Sequence, residues 1–250
     1  MINVATVLSV LIAGAAVGAT SIGGVVVVPA LTALSGFALR EAIALSNFSF
    51  LFVGLAAVWL QRAKPASPPA QLSPSLQGFF LAAFLGALAG AFTLAWLPTT
   101  LIRAMVATIA IFSGLRALRV VSPVAAEYSP RATSAWVGLA VGCVSAWSGT
   151  GGPVLLLPIL MFAGMPLLSA VAIAQSVQLP IAGAATAVNI AVGRLDLGLA
   201  SVLGLLVLLG WLAGRYFAKR IAVQTLQRLV AIALVVVGIA YGWQALFTNV

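Results

Sequence analysis

Histidine is absent from this sequence, and cysteine occurs once, at Cys143. A single cysteine excludes an intrachain disulfide. With one thiol and no imidazole, the chain has almost no ligands for zinc or an iron–sulfur cluster, and it cannot form a Ser–His–Asp or Cys–His catalytic set. We therefore expect no catalytic residue, no metal site and no cofactor, and we interpret the protein as a non-enzyme.

Charged residues are also scarce. They make up 6% of the chain, against about 25% in soluble domains. Residues 1–39 and 132–193 contain no charge at all, and 63% of the sequence is hydrophobic. Several apolar runs reach or approach the roughly 20 residues that a helix needs to cross a bilayer. The composition therefore predicts an all-α polytopic membrane protein.

The few charges are mostly positive. Twelve basic residues stand against Glu41, Glu127 and Asp196, which gives a net charge of +9. In a soluble protein this would suggest a nucleic-acid partner. Here the basic residues lie between apolar segments, where positive charge sets orientation in the membrane. We therefore expect membrane lipid and no nucleic acid as a partner, and a homo-oligomer is compatible with the sequence.

The two halves of the chain match in their glycines as well as in their hydropathy. Gly-x-x-x-Gly pairs, which are typical of close helix packing, recur with the same spacing in both halves. The matched pairs are Gly14 and Gly18 with Gly138 and Gly142, and Gly86 and Gly90 with Gly210 and Gly214. This repetition indicates a duplication, as is common in membrane transporters.

The hydropathy divides each half into a broken apolar segment followed by three longer ones. Repeat 1 is predicted at 1–118, with a hairpin at 2–36 and spans at 38–60, 76–96 and 99–118. A Pro-containing linker follows at 119–133. Repeat 2 is predicted at 134–250, with a hairpin at 134–164 and spans at 167–192, 197–216 and 226–247.

The hairpins are predicted from two glycine pairs, in TSIGGVVVVP at 20–29 and SGTGGPVLLLP at 148–158. If each pair lay inside an ordinary spanning helix, six basic residues would fall on each side of the membrane. If the chain turns back at each pair, nine fall on one side and only Arg40, Arg103 and Arg194 on the other. The positive-inside rule favours the second arrangement, with the nine in the cytoplasm.

A hairpin plus three spans is an odd number of passes, so the halves take opposite orientations and both termini lie outside. The N-terminus lacks the basic region of a signal peptide, and we interpret it as the first membrane segment. The predicted fold is an all-α polytopic membrane protein with two inverted repeats, each containing a Gly-rich helical hairpin plus three spanning helices.

The glycine pairs are also the candidate binding site. A backbone break inside the membrane must face protein or a water-filled cavity, and the helix that follows points unpaired N–H groups and its positive dipole end at the break. Two such helix ends favour a small anion. The expected substrate contacts are Ser21, Gly23, Gly24, Ser148, Thr150, Gly151 and Gly152, supplemented by the amides of Asn47 and Gln175.

A structural role remains open for the same residues. The breaks can act as kinks that only help packing, and amides within a spanning helix often hydrogen-bond a neighbouring helix.

The segments around the breaks carry a family resemblance. They are GAAVGATSIGGVVVVPAL (14–31) and GLAVGCVSAWSGTGGPVLLLPIL (138–160), extended by REAIALSNF (40–48) and LSAVAIAQS (168–176). In these features the chain resembles the sulfite exporter TauE/SafE family of membrane permeases. The resemblance implies transport of sulfite, sulfoacetate or other organosulfonates across the bacterial inner membrane. The chain departs from the family pattern in GTGGP (149–153) and in the LSN and AQS segments, all at the expected pocket.

Export is the favoured direction. A negative interior helps to expel an anion by about 2.3 kcal/mol per charge at 100 mV, and the acids Glu41 and Asp196 lie near segment ends, where we expect each to pair locally with its neighbouring Arg40 or Arg194. Five alternatives stay open. They are an anion channel, a proton-coupled uptake permease for another small anion, a structural membrane component, a transporter of a cation or neutral solute, and a membrane enzyme acting on sulfur compounds.

Overall fold

The fold comes from a computed structural model, which describes residues 3–21, 23–63, 74–118, 130–217 and 223–247. Within these residues the chain forms α-helices and two short 3₁₀ helices, at Gly23–Val26 and Pro130–Thr133, and no β-strand. The α-helices are α1 Val4–Thr20, α2 Val27–Ser35, α3 Leu39–Ala63, α4 Pro74–Thr93, α5 Thr99–Leu118, α6 Ala135–Ser148, α7 Pro153–Phe162, α8 Leu167–Ala191, α9 Leu197–Phe217 and α10 Val223–Phe247.

The prediction of an all-α protein with membrane-length apolar helices is confirmed. Among the described residues, four helices have the length and composition to cross a membrane, over Leu39–Leu60, Leu76–Thr93, Ser169–Ala191 and Leu197–Phe217. Helices α1, α2, α6 and α7 are apolar but shorter, because a glycine-containing break interrupts each of the two segments that they form. Many large apolar side chains lie exposed on the outer surface of the bundle, as expected where lipid replaces water.

The helices define two faces. On one face, Arg40 at the start of α3 donates to the carbonyl of Leu97 (2.8 Å), and Arg194 after the end of α8 donates to the carbonyl of Ala91 near the end of α4 (3.1 Å). We call this the Arg40 face. The opposite face, at which α3 and α9 end and α4 begins, is called the Arg215 face, because Arg215 lies in the last turn of α9.

Exposed tryptophans lie near helix ends at both faces. Trp96 and Trp243 lie towards the Arg40 face, and Trp59 and Trp136 towards the Arg215 face, each with more than 60% of its surface exposed. Tryptophan is enriched at membrane–water interfaces, where its ring is half in lipid and its N–H in water. The two faces therefore have the side chains expected at the two borders of a membrane.

Glycines bring helices into main-chain contact, and two pairs of helices approach each other most closely. A Cβ atom on Gly18 would overlap the carbonyl oxygen of Trp211, and one on Gly142 would overlap that of Ala83. Helices α1 and α9 pack closely for this reason, as do α4 and α6. The two short helices that lead into the breaks are thus each held along one long helix.

The main helix contacts are exchanged between the two halves of the chain. Helix α1 packs against α9 as α6 packs against α4, and α3 packs against α9 as α8 packs against α4. Helices α3 and α8 pair with each other, as do α5 and α10. Replacing α1–α5 by α6–α10 leaves these contacts unchanged.

The chain reverses between α1 and α2. The side-chain amide of Asn3 donates to the carbonyl of Leu34 (2.7 Å), and the hydroxyls of Thr6 and Ser35 are also hydrogen-bonded. The start of α1 therefore lies beside the end of α2. The division into repeats at 118 and 134 stays a prediction, and most of the predicted linker, residues 119–129, lies outside the described residues.

Candidate functional site

The first break begins where α1 ends at Thr20. Ser21 takes a left-handed conformation (φ 60°) and closes the helix by donating its N–H to the carbonyl of Val17 (2.9 Å). It is the one non-glycine residue with positive φ in the described part of the chain. This conformation costs an L-residue about 1 kcal/mol or more. Serine is therefore held at this position in a backbone conformation that glycine would adopt more easily. The 3₁₀ helix Gly23–Val26 follows and leads directly into α2.

The second break has the same design with more glycine. Helix α6 ends at Ser148, and Gly149 (φ 67°) closes it as Ser21 closes α1. Gly151 (φ 75°) and Gly152 (φ 103°, ψ −45°) then form a turn whose backbone angles residues with a side chain rarely adopt. Pro153 occupies the first position of α7, where no N–H is needed.

The two breaks touch each other. A methyl group on Gly24 would lie 2.7 Å from the carbonyl oxygen of Thr150. The ring of Phe50 lies against both, since the same methyl would be 3.1 Å from its Cζ atom and one on Gly151 would be 2.9 Å from its Cδ2 atom. Phe50 is fully buried and therefore fills the space where the two breaks approach one another.

This meeting point lies near the middle of the two longest helices that pack around it. Phe50 is the twelfth residue of the 25-residue α3, and Gln178 is the twelfth of the 25-residue α8. The side-chain nitrogen of Gln178 would lie 3.0 Å from a methyl on Gly151. The breaks are thus about equally far from both faces.

The amides of α3 and α8 contact the breaks crosswise. From α3, Asn47 donates to the carbonyl of Ala146 at the end of α6 (3.2 Å), and Ser46 donates to the carbonyl of Gly149 in the second break (2.7 Å). From α8, Gln175 donates to the hydroxyl of Ser21 in the first break (3.0 Å). Each helix therefore holds the break that belongs to the other half of the chain.

Several polar atoms at the breaks have no partner among the described residues. They are the side-chain oxygen of Asn47, the hydroxyl of Ser145, and the side-chain oxygen and nitrogen of Gln178. All three side chains are fully buried. Buried polar groups normally form hydrogen bonds because leaving one unpaired costs about 1–3 kcal/mol. The breaks therefore keep unused donors and acceptors that suit a small polar ligand.

The structure brings the predicted site residues together where the two breaks meet. Gly24 touches Thr150, whose hydroxyl is bonded to that of Ser148 (3.0 Å), while Asn47 lies on the second break and Gln175 on the first. Gly23 opens the 3₁₀ helix of the first break. Phe50 and Gln178 were not among the predicted contacts. Both follow a predicted amide by three residues, and the i, i+3 spacing places them on the same helix face.

An open cleft lies elsewhere, on the Arg40 face, with a volume of about 600 Å³. It is lined by the residues around the start of α3 and the turn between α8 and α9, including Arg40, Glu41, Arg194 and Asp196. Asp196 also caps α9 by accepting from the N–H of Leu199 (3.0 Å). Because the cleft holds both charge signs at helix ends, we assign it no binding role. No cluster of three or more His, Cys, Asp or Glu side chains occurs in the described residues.

Comparison with known proteins identifies the family. The family model described as Sulfite exporter TauE/SafE matches residues 70–241, which include the second break and begin after the first. Comparisons with curated proteins and with solved structures found no match. The matched region is more than half of the chain and contains α4–α9 in full. The chain therefore belongs to the sulfite exporter TauE/SafE family.

Proposed function

We propose that this protein exports small sulfur-containing anions, such as sulfite or organosulfonates, across the bacterial inner membrane. Family membership supports a membrane transporter of this substrate class. The observation that carries the proposal is the contact between Gly24 and Thr150, because it joins the two breaks into one site at mid-length of α3 and α8. The proposed contacts are those predicted from the sequence, at Ser21, Gly23, Gly24, Asn47, Ser148, Thr150, Gly151, Gly152 and Gln175.

The proposed mechanism is alternating access between two inverted repeats. The exchange of helix contacts between α1–α5 and α6–α10 supports this architecture, and transporters built in this way bind substrate at the repeat interface. Because glycine contacts hold α1 against α9 and α4 against α6, we expect each of these pairs to move as a rigid unit. Relative motion of these units would open the breaks first to one face and then to the other.

In this scheme the structure corresponds to a closed conformation. Ser21, Asn47, Ser148, Thr150 and Gln175 are each at most 3% exposed. The ring of Phe50 occupies the gap between the breaks, and its displacement would make room for substrate. An anion of a few heavy atoms could then accept hydrogen bonds from the side-chain N–H groups of Gln178, which have no partner among the described residues.

The proposed orientation places the Arg215 face in the cytoplasm and both termini outside. Among the described residues, five arginines lie near helix ends on the Arg215 face (Arg62, Arg116, Arg131, Arg215 and Arg228), whereas three lie near the opposite one (Arg40, Arg103 and Arg194). The excess of basic residues expected on the cytoplasmic side supports this choice.

The proposal is tested by efflux from proteoliposomes loaded with radiolabelled sulfite. We expect efflux to saturate with sulfite. Methanesulfonate and sulfoacetate should inhibit it, and chloride should not. A Gly78→Ala variant serves as the control for glycine substitution, because Gly78 in α4 has open space around it. Efflux no faster than from sulfite-loaded liposomes without protein would contradict the proposal. An ohmic current without saturation would indicate a channel.

A further inference from the structure

Arg215 points from the last turn of α9 into the protein. Its guanidinium group lies over the ring of Trp211, 4.9 Å from the ring centroid, and donates to the side-chain oxygen of Gln175 at 3.5 Å. Gln175 in turn donates to the hydroxyl of Ser21 in the first break (3.0 Å). An arginine within a spanning segment that faces the bundle interior commonly marks a substrate pathway.

The guanidinium of Arg215 retains most of its hydrogen-bonding capacity. Arg40 donates to main-chain carbonyls at 2.8 and 3.2 Å, and Arg194 donates to one at 3.1 Å, so both arginines are used to cap the end of α4. Arg215 has five N–H donors and makes only the long contact to Gln175 within the described residues. The indole N–H of Trp211, which is fully buried beneath it, is also without a partner among those residues.

The positive charge of Arg215 is remote from the described carboxylates. Asp196 lies at the other end of α9, nineteen residues or about 28 Å along the helix axis. Glu41 lines the same cleft as Asp196 on the Arg40 face. A half-buried arginine that is far from every described carboxylate attracts an anion, because the surrounding protein screens the charge less than water does.

This charge has no equivalent in the other half of the chain. The glycine pairs align GALAGAF (86–92) with GWLAGRYF (210–217), so Ala91 occupies the position of Arg215. Among the described residues, Arg215 reaches the first break through Gln175, and no lysine or arginine hydrogen-bonds the second break. A path in which one break has a charge beside it and the other has none favours binding of an anion and still allows its release.

We propose that Arg215, with Gln175 and the indole N–H of Trp211, forms an oxyanion subsite beside the first break. It binds the sulfite or sulfonate oxygens of the substrate on the side where α9 ends, before they reach the glycine breaks. The subsite rests on the proposed function and adds the residue that supplies the charge. Arg215 is then a specificity-determining residue, and its second role is to orient Gln175 towards Ser21.

The test measures binding of radiolabelled sulfite to purified protein, together with KM and kcat for efflux. Charge-assisted hydrogen bonds from arginine support a change of about tenfold or more in Kd and KM for R215Q. R215K, which retains the charge but not the planar fork, should be affected less. R131Q is the matched control, because it removes the same charge from an exposed arginine on the short helix Pro130–Thr133.

The outcomes separate this inference from the proposed function. Wild-type protein that neither binds nor transports sulfur oxyanions would overturn both. Wild-type transport with equal Kd and KM in R215Q and R131Q would overturn the subsite alone, and would reduce Arg215 to a packing residue. If R215Q does not fold, phenylglyoxal labelling of wild-type Arg215 is followed by mass spectrometry. Methanesulfonate should slow labelling of Arg215 but not of Arg131, and equal rates would overturn the subsite.

Discussion

Gly24 lies directly against the main-chain carbonyl of Thr150, with no room for a methyl group between them. These residues are more than a hundred positions apart and belong to the two glycine-containing breaks. Their contact makes the two breaks parts of a single buried site, and it leaves no space for a side chain at position 24.

Gly24→Ala should reduce sulfite efflux by about tenfold or more. The added methyl would lie 2.7 Å from the Thr150 oxygen, which is main chain and cannot rotate away, so one break must shift. In enzymes, a misplacement of about 1 Å can cost about a hundredfold in rate. Efflux from proteoliposomes measures the effect.

Gly78→Ala is the control for Gly24→Ala, because a methyl on Gly78 meets nothing within 4 Å. This variant should transport like the wild type. Equal efflux from both variants would show that the contact between the breaks is not required for transport.

Ser21→Gly and Ser21→Ala should differ in stability. Alanine at φ 60° keeps the backbone strain that Ser21 already has and loses the hydrogen bond from Gln175, so the lost bond predicts a loss of about 1 kcal/mol relative to the wild type. Glycine loses the same hydrogen bond but removes the strain, so Ser21→Gly should unfold close to the wild-type temperature. Thermal unfolding in detergent makes the comparison. An alanine variant as stable as the glycine variant would argue against the left-handed conformation.

Phe50→Ala should open the closed site to water-soluble reagents. The ring fills the gap between the breaks, and its removal leaves a cavity that joins polar surfaces. In a Cys143→Ala background, a cysteine introduced at Ser148 should react with a thiosulfonate reagent at least several-fold faster when Phe50 is also alanine.

Phe79→Ala is the matched control for the Phe50 experiment. Phe79 is also fully buried, but it packs between α4 and α6, where Gly138 approaches its backbone. Its loss removes a comparable volume away from the breaks and should leave labelling at residue 148 unchanged. Equal acceleration by both substitutions would show general loosening and not a gate at Phe50.

A cysteine at Ser67 should be labelled only from the cytoplasm, and one at Thr100 only from outside. Ser67 lies in the predicted loop 61–75, outside the described residues, and Thr100 is exposed at the start of α5 on the Arg40 face. Impermeant maleimide applied to whole cells and to inverted vesicles, again without Cys143, reads both positions. Labelling of Ser67→Cys in intact cells would contradict the proposed orientation.

Much of the site could be anticipated from the sequence because its signals are local. A glycine pair within an apolar run indicates a backbone break wherever it occurs, and Asn47 and Gln175 stand out as amides inside membrane-length segments. Phe50 carried no such signal, since an aromatic side chain in an apolar helix is ordinary. Its role depends on what lies opposite, at Gly24 and Gly151.

Arg215 illustrates the same limit for charge. From its sequence position at the end of an apolar segment, it looks like one more basic residue at a membrane border, where arginine is common. Its inward direction depends on Trp211 below it and on Gln175 of a different helix. Counting charges by loop assigns it a side of the membrane but cannot say what it contacts.

The sequence by itself determined an all-helical membrane protein with two interrupted segments, since hydrophobicity and backbone freedom are properties of short stretches. The tertiary structure decided that each break is held by the amide helix of the other half, as in the contacts of Ser46 with Gly149 and of Gln175 with Ser21. These contacts join residues 103 and 154 positions apart. Such pairings arise only when the helices pack, because the direction of each helix and the position of each residue along it then determine which side chains meet.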